Sequence, residues 1–142
     1  MKREHISNVS IDIQATPEAV WDALVTPAIA KKYFFGADVA SDWKEGSPIT
    51  FTGEFGGNKY LEKGVLLTII PGSRLQYTHW SSLESLPDEP ENYRTWTFDI
   101  EAKEGLTQLS VTEDNIPTEM QQKRSDEFWA GVLLTIRQLL EV

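Results

Sequence analysis

Residues 127–141, EFWAGVLLTIRQLLE, are the one long stretch of this chain with a strongly helical rhythm: Phe128, Trp129, Val132, Leu133, Ile136, Leu139 and Leu140 recur at three- and four-residue intervals. An α-helix gathers such a set into one broad apolar stripe, which has to be buried against another element. What precedes it is a run of strand-like segments, so the partner is a sheet. A helix held against a curved sheet tends to leave a cavity, and function is expected to be tied to that space.

The rest of the chain fits this picture. His5 to Ile13 alternates, with Val9, Ile11 and Ile13 on one side and Asn8, Ser10 and Asp12 on the other, which suits a half-buried strand. Thr16-Pro17-Glu18 then supplies an N-cap, a proline at the first helical position and an acid for the helix dipole, with Val20, Trp21 and Leu24 as the inner face. Thr26-Pro27 repeats the pattern and predicts a second short helix through Ile29 to about Phe34, ended by Gly36.

From there the sequence reads as antiparallel sheet. Ala37 to Trp43 is a weak strand and Ile49 to Thr52 a second; Gly56-Gly57-Asn58 turns the chain back into Lys59 to Ile70, where Gly64 predicts a bulge or bend. Pro71-Gly72-Ser73 leads into a strand that alternates through Leu75, Tyr77 and His79. After the polar loop SSLESLPDEPEN come Trp96, Phe98 and Ile100, alternating with Thr95, Thr97 and Asp99, and finally Leu109 and Val111. The expected architecture is α+β: a curved antiparallel sheet of about six or seven strands wrapped on a long C-terminal helix, with two short helices after the first strand.

Composition narrows function. At 142 residues the chain is expected to form one domain, 1–142, without disulfides, since it has no cysteine. A net charge of -9, from 13 basic and 22 acidic residues, repels phosphate backbones and anionic surfaces, which argues against nucleic acid as a partner. The start MKREHISNVSID has no apolar segment behind its basic residues, and no apolar run approaches membrane-spanning length; a cytoplasmic location and no membrane insertion are expected.

Several stretches also carry a resemblance. TPEAVWDALVTPAIAKKYF, WKEGSPITF, KGVLLTIIPGSRLQYTHW and FWAGVLLTIRQLLE, in this order, resemble the SRPBCC or START-like superfamily with its helix-grip fold. The branch they are most similar to is that of homologues of the C-terminal domain of the heat-shock-protein ATPase activator. Tyr33-Phe34-Phe35 stands where that branch commonly has a tryptophan, and the loop from Ser81 to Asn92 is longer than expected; both lie where a cavity mouth would be. The resemblance implies three functions: binding of a small apolar or amphipathic molecule, modulation of a chaperone ATPase through protein contact, or polyketide cyclase-like catalysis.

Chemistry-bearing residues are few. His5 and His79 are far apart, and no HExxH, His-x-His, GxSxG or GxxxxGK[ST] pattern occurs, so neither a metal site nor a cofactor is expected. His79 shares a face with Leu75 and Tyr77, and Glu113 shares one with Leu109 and Val111; each is a candidate polar contact with a ligand, and an acid or base were the protein an enzyme. Binding is favoured over catalysis. Phe51, Tyr77, Trp96, Phe98, Phe128, Trp129 and Val132 are expected to converge between sheet and helix as ligand-binding residues, with Arg94 and Tyr60 near the mouth. A monomer or homodimer is expected.

Overall fold

The computed structural model describes residues 3–141. Met1 and Lys2 of the N-terminal stretch read above, and Val142, lie outside the described residues. The first strand, β1 (His5–Ile13), turns Val9, Ile11 and Ile13 inward, as its alternation requires. It leads into α1 (Pro17–Val25), whose N-cap Thr16 accepts a hydrogen bond from the Ala19 amide at 3.1 Å and whose Val20, Ala23 and Leu24 are buried. Thr26 closes α1 and opens α2 (Pro27–Tyr33). The end of α2 is tied off by the Gly36 amide, which donates to the Lys31 carbonyl at 2.8 Å. That geometry needs a left-handed residue between helix and glycine, and the residue is Phe35, at φ 55°.

The sheet continues through β2 (Asp38–Ala40), β3 (Pro48–Phe55), β4 (Asn58–Ile70), β5 (Arg74–Ser81), β6 (Arg94–Lys103) and β7 (Leu106–Ile116). All neighbours are antiparallel, and the 7-stranded order is β1-β7-β6-β5-β4-β3-β2. Only β1 leaves its sequential place, crossing by way of α1 and α2 to the far edge beside β7. The long helix α3 (Glu119–Leu140) lies on the inner face. This is the helix-grip arrangement. Inward alternation is strict on β5 (Leu75, Tyr77, His79, Ser81), on β6 (Arg94, Trp96, Phe98, Ile100) and on β7 (Thr107, Leu109, Val111, Glu113).

Four details differ from the sequence reading, each for a local reason. α3 begins at Glu119 rather than near Glu127, because Thr118 caps it by accepting from the Gln121 amide at 3.1 Å, while its first two turns are polar and carry no apolar rhythm. β2 is confined to Asp38–Ala40, because Ser41 and Asp42 hydrogen-bond the amides of Trp43 and Lys44 and Trp43 is left-handed at φ 59°. The irregularity expected at Gly64 occurs instead between Leu66 and Thr68. Gly64 serves a close approach: a Cβ there would overlap the Thr78 carbonyl of the neighbouring strand. Finally, the long loop after β5 contains 3-10 turns at Ser82–Glu84 and Pro90–Asn92, pinned by Trp80 and Asn92 donating to the Pro87 carbonyl and by a Lys63–Asp88 ion pair.

Candidate functional site

The groove between sheet and helix is filled at one end and open at the other. At the filled end Trp129, Val132, Leu133 and Ile136 of α3 join Ile13, Val20, Leu24, Phe98, Leu109 and Val111 in one buried cluster. At the other end the walls part. A cleft of about 610 Å³ lies between β3–β6, the end of α2 and the first half of α3. Its apolar walls are Phe34, Phe51, Phe55, Tyr60, Trp96 and Phe128, and Phe35, Phe55 and Leu83 stand exposed at its rim.

Aromatic packing defines the inner wall. Phe34 meets Phe51 edge-on at 5.6 Å, Trp96 meets Trp129 edge-on at 4.6 Å, and His79 stacks on Trp96 with centroids 3.7 Å apart. Tyr60 lies across Gly53, whose lack of a side chain makes room: a Cβ there would come within 2.6 Å of the Tyr60 hydroxyl.

Two polar clusters interrupt this apolar surface. In the first, Glu113 accepts from Trp96 Nε1 at 3.0 Å, Trp129 Nε1 at 3.0 Å and Arg94 Nη1 at 3.1 Å. Strand register places Glu113 opposite Trp96, and the turn of α3 brings Trp129 over both. Arg94 also lies 3.5 Å from Glu84, and its Nε is buried without a partner. This buried ion pair borders a smaller recess of about 280 Å³, adjoining the cleft at Glu84, Trp96, Arg124 and Phe128. With both carboxylate oxygens occupied, Glu113 cross-links sheet and helix and has little capacity left for acid–base work.

The second cluster faces the cleft. Glu62 Oε1 lies 3.0 Å from His79 Nε2, and Glu62 Oε2 accepts from the Ser81 hydroxyl at 2.9 Å. Register again explains it, since Glu62 sits opposite Ser81, with His79 one inward position along β5. Burial pushes the Glu62 carboxyl up, but the hydrogen bonds from His79 and Ser81, with the attraction of the His79 ring when it is protonated, outweigh it and hold the group below the usual glutamate range. A carboxylate, a hydroxyl and an imidazole thus share the inner wall of an otherwise aromatic cleft.

Of the residues singled out from the sequence, Phe51, His79, Trp96 and Phe128 line this cleft. Tyr77, Phe98, Trp129 and Val132 are core residues instead, and Glu113 is the buried cross-link at the edge of the smaller recess. Tyr60 lines the cleft, whereas Arg94 lies beneath it, paired with Glu113. Phe34, Phe35, Ser81, Leu83 and Glu84 also line it, from the two stretches expected at the cavity mouth, and Ala37, Phe55, Glu62 and Arg124 complete the lining without having been singled out. Inward positions on β4 were the usable clue for Glu62, which shares its face with Tyr60, Gly64 and Leu66. Among the described residues, no three His, Cys, Asp or Glu side chains converge as metal ligands, and no helix is long and apolar enough to cross a membrane.

A curved sheet gripping a terminal helix over an aromatic cleft places the chain in the SRPBCC or START-like superfamily. The family model described as activator of Hsp90 ATPase homolog 1-like protein matches residues 14–141, and the chain belongs to that family. Its structure is similar to the solution structure of ChR145 from Cytophaga hutchinsonii, with 42% identity over 99% of this chain and 97% of that one and a TM-score of 0.87. It is also similar to the solution structure of the Aha1 dimer from Colwellia psychrerythraea (24% identity, 97% of each chain, TM-score 0.76). The crystal structure of MLL2253 from Mesorhizobium loti shares the fold at 18% identity, 96% of this chain, 97% of that one and a TM-score of 0.79. No curated protein matches the sequence.

Proposed function

We propose that the protein binds a small apolar or amphipathic molecule in the cleft between β3–β6 and the first half of α3. The observation that carries this reading is the cleft itself: about 610 Å³ of space walled by aromatic side chains, with polar groups gathered on one wall. Sites of this size and lining suit compounds that bury most of their surface while a few polar contacts fix their orientation. Phe51, His79, Trp96 and Phe128 are the proposed contacts, joined by Phe34, Tyr60 and Glu62. A lipid, steroid and polyphenol panel tests this by thermal shift, because a ligand at a hundred times its Kd adds about 2.7 kcal/mol to stability by mass action. Native mass spectrometry of freshly purified protein complements it by weighing any retained molecule. No shift across the panel, with no retained mass, overturns the reading.

A second reading is favoured by the family description and by the exposed Phe35, Phe55 and Leu83 at the rim. On it the protein modulates a chaperone ATPase through direct contact. Pull-down and ATPase assays with the host chaperone discriminate, since only this reading expects a change in ATP turnover.

A further inference from the structure

Within the cleft, the groups around His79 are specific enough to state what kind of polar group the bound molecule carries. His79 is buried, with Trp96 stacked on one face at 3.7 Å and Phe51 edge-on at 5.5 Å. Its ring is fixed by these contacts and by the Nε2 bond to Glu62. The other nitrogen, Nδ1, has no hydrogen-bond partner among the described residues and is not sealed from solvent, and His79 is one of the residues that line the cleft. Nδ1 is therefore an unpaired polar atom on a fixed ring that belongs to an otherwise aromatic wall.

The neighbours of Nδ1 decide among head groups. A carboxylate is an acceptor only, so Nε2 has to donate to Glu62, which leaves Nδ1 an acceptor on neutral imidazole and a donor on imidazolium. A hydroxyl satisfies Nδ1 in either state, because it can both donate and accept. An ether satisfies only the donor state. Of the charged side chains lining the cleft, Glu62 and Glu84 are acidic and Arg124 is basic, so a carboxylate head bonded to His79 would meet a net negative wall with Glu62 across the ring, where like charges repel. The aromatic walls then favour a flat apolar body behind the hydroxyl.

We infer that the cleft takes an uncharged apolar molecule bearing a hydroxyl, such as a phenol, with that hydroxyl hydrogen-bonded to Nδ1 of His79. The inference rests on the cleft-binding reading above and deepens it.

Four probes with one ring system test it: 2-naphthol, 2-methoxynaphthalene, 2-naphthoate and naphthalene, titrated by calorimetry and by quenching of tryptophan emission. 2-Naphthol binds tightest, by about tenfold over the methoxy compound and naphthoate, the margin of one hydrogen bond in a dry site. In His79→Phe, which keeps a ring against Trp96, that margin disappears while naphthalene still binds. Nitrogen-15 shifts of the His79 ring give a second readout on the unaltered protein: Nδ1 moves on adding 2-naphthol and not on adding naphthalene. Equal affinity for 2-naphthol and its methyl ether, or tighter binding of naphthoate, overturns the hydroxyl assignment and leaves the cleft reading standing. Failure of all four to bind overturns the hydroxyl assignment, and joined to a silent lipid, steroid and polyphenol panel with no retained mass it sinks the cleft reading as well.

Discussion

The two ends of the groove are built from the same kinds of residue and behave differently. At one end Trp129 is buried to 0% exposure and its indole N–H is committed to Glu113; at the other, Phe128, the next residue back along α3, is half-buried and faces open space. One helix thus presents adjacent positions to a solid core and to a cleft. The difference comes from the opposing wall. Trp129 packs edge-on against Phe98 and Trp96 of the central strand β6, whereas Phe128 meets Phe34 and Phe35 at the end of α2 and borders the open cleft that β3 and β4 wall on the far side. Stability is concentrated at one end, which frees the other to be shaped by a guest.

Substitutions can break or sharpen that contrast. The largest loss is expected for Trp129→Ala, at about 3–5 kcal/mol in urea denaturation, the usual cost of emptying a fully buried tryptophan site. A cost near that of an exposed residue would show that the packed end is not packed. Glu113→Gln comes next: it leaves the buried Arg94 charge short of its partner and is expected to cost about 3 kcal/mol, with altered indole N–H resonances for Trp96 and Trp129. Phe128→Ala should cost only about 1 kcal/mol, yet weaken binding of an apolar probe, a split between stability and affinity that Trp129→Ala cannot show.

A smaller effect is tied to pH. The Glu62 carboxyl is held below its unfolded value, so its contribution to stability is present above the unfolded pKa and is lost as pH falls through the folded one. Thermal melts of wild type and Glu62→Gln are therefore expected to differ near neutrality and to converge in acid. The smallest change runs the other way: Phe35→Gly relieves a left-handed aromatic and is expected to raise stability by about 0.5 kcal/mol.

Much of the architecture was legible because periodicity reports which face of an element is buried. The apolar stripe of α3, the alternation of β6 and the two Thr-Pro helix starts each carry that signal, and each element formed where its pattern lay. Periodicity does not report who stands opposite. Glu62 meets Ser81 and His79 only through the register of β4 on β5, which depends on the turn at Pro71–Ser73 and the irregularity near Leu66, so alternation along β4 can turn Glu62 inward but cannot name its partners. For the same reason Trp129 and Phe128 looked alike as candidates. Which one borders the cleft depends on the strands and the α2 end that pack against each, elements remote in sequence. The early start of α3 is hidden because an N-cap threonine ahead of two largely polar turns leaves no apolar rhythm.

The way α2 stops has an architectural corollary. Its final turn needs one residue with a left-handed backbone, and placing a phenyl group there leaves that ring standing 74% exposed at the threshold of the cleft, with Phe128 as an aromatic neighbour at 5.8 Å. The doorpost is anchored by main-chain geometry and owes little to the masonry behind it. A larger or smaller side chain at that one point would narrow or widen admission while the vault beyond kept its shape.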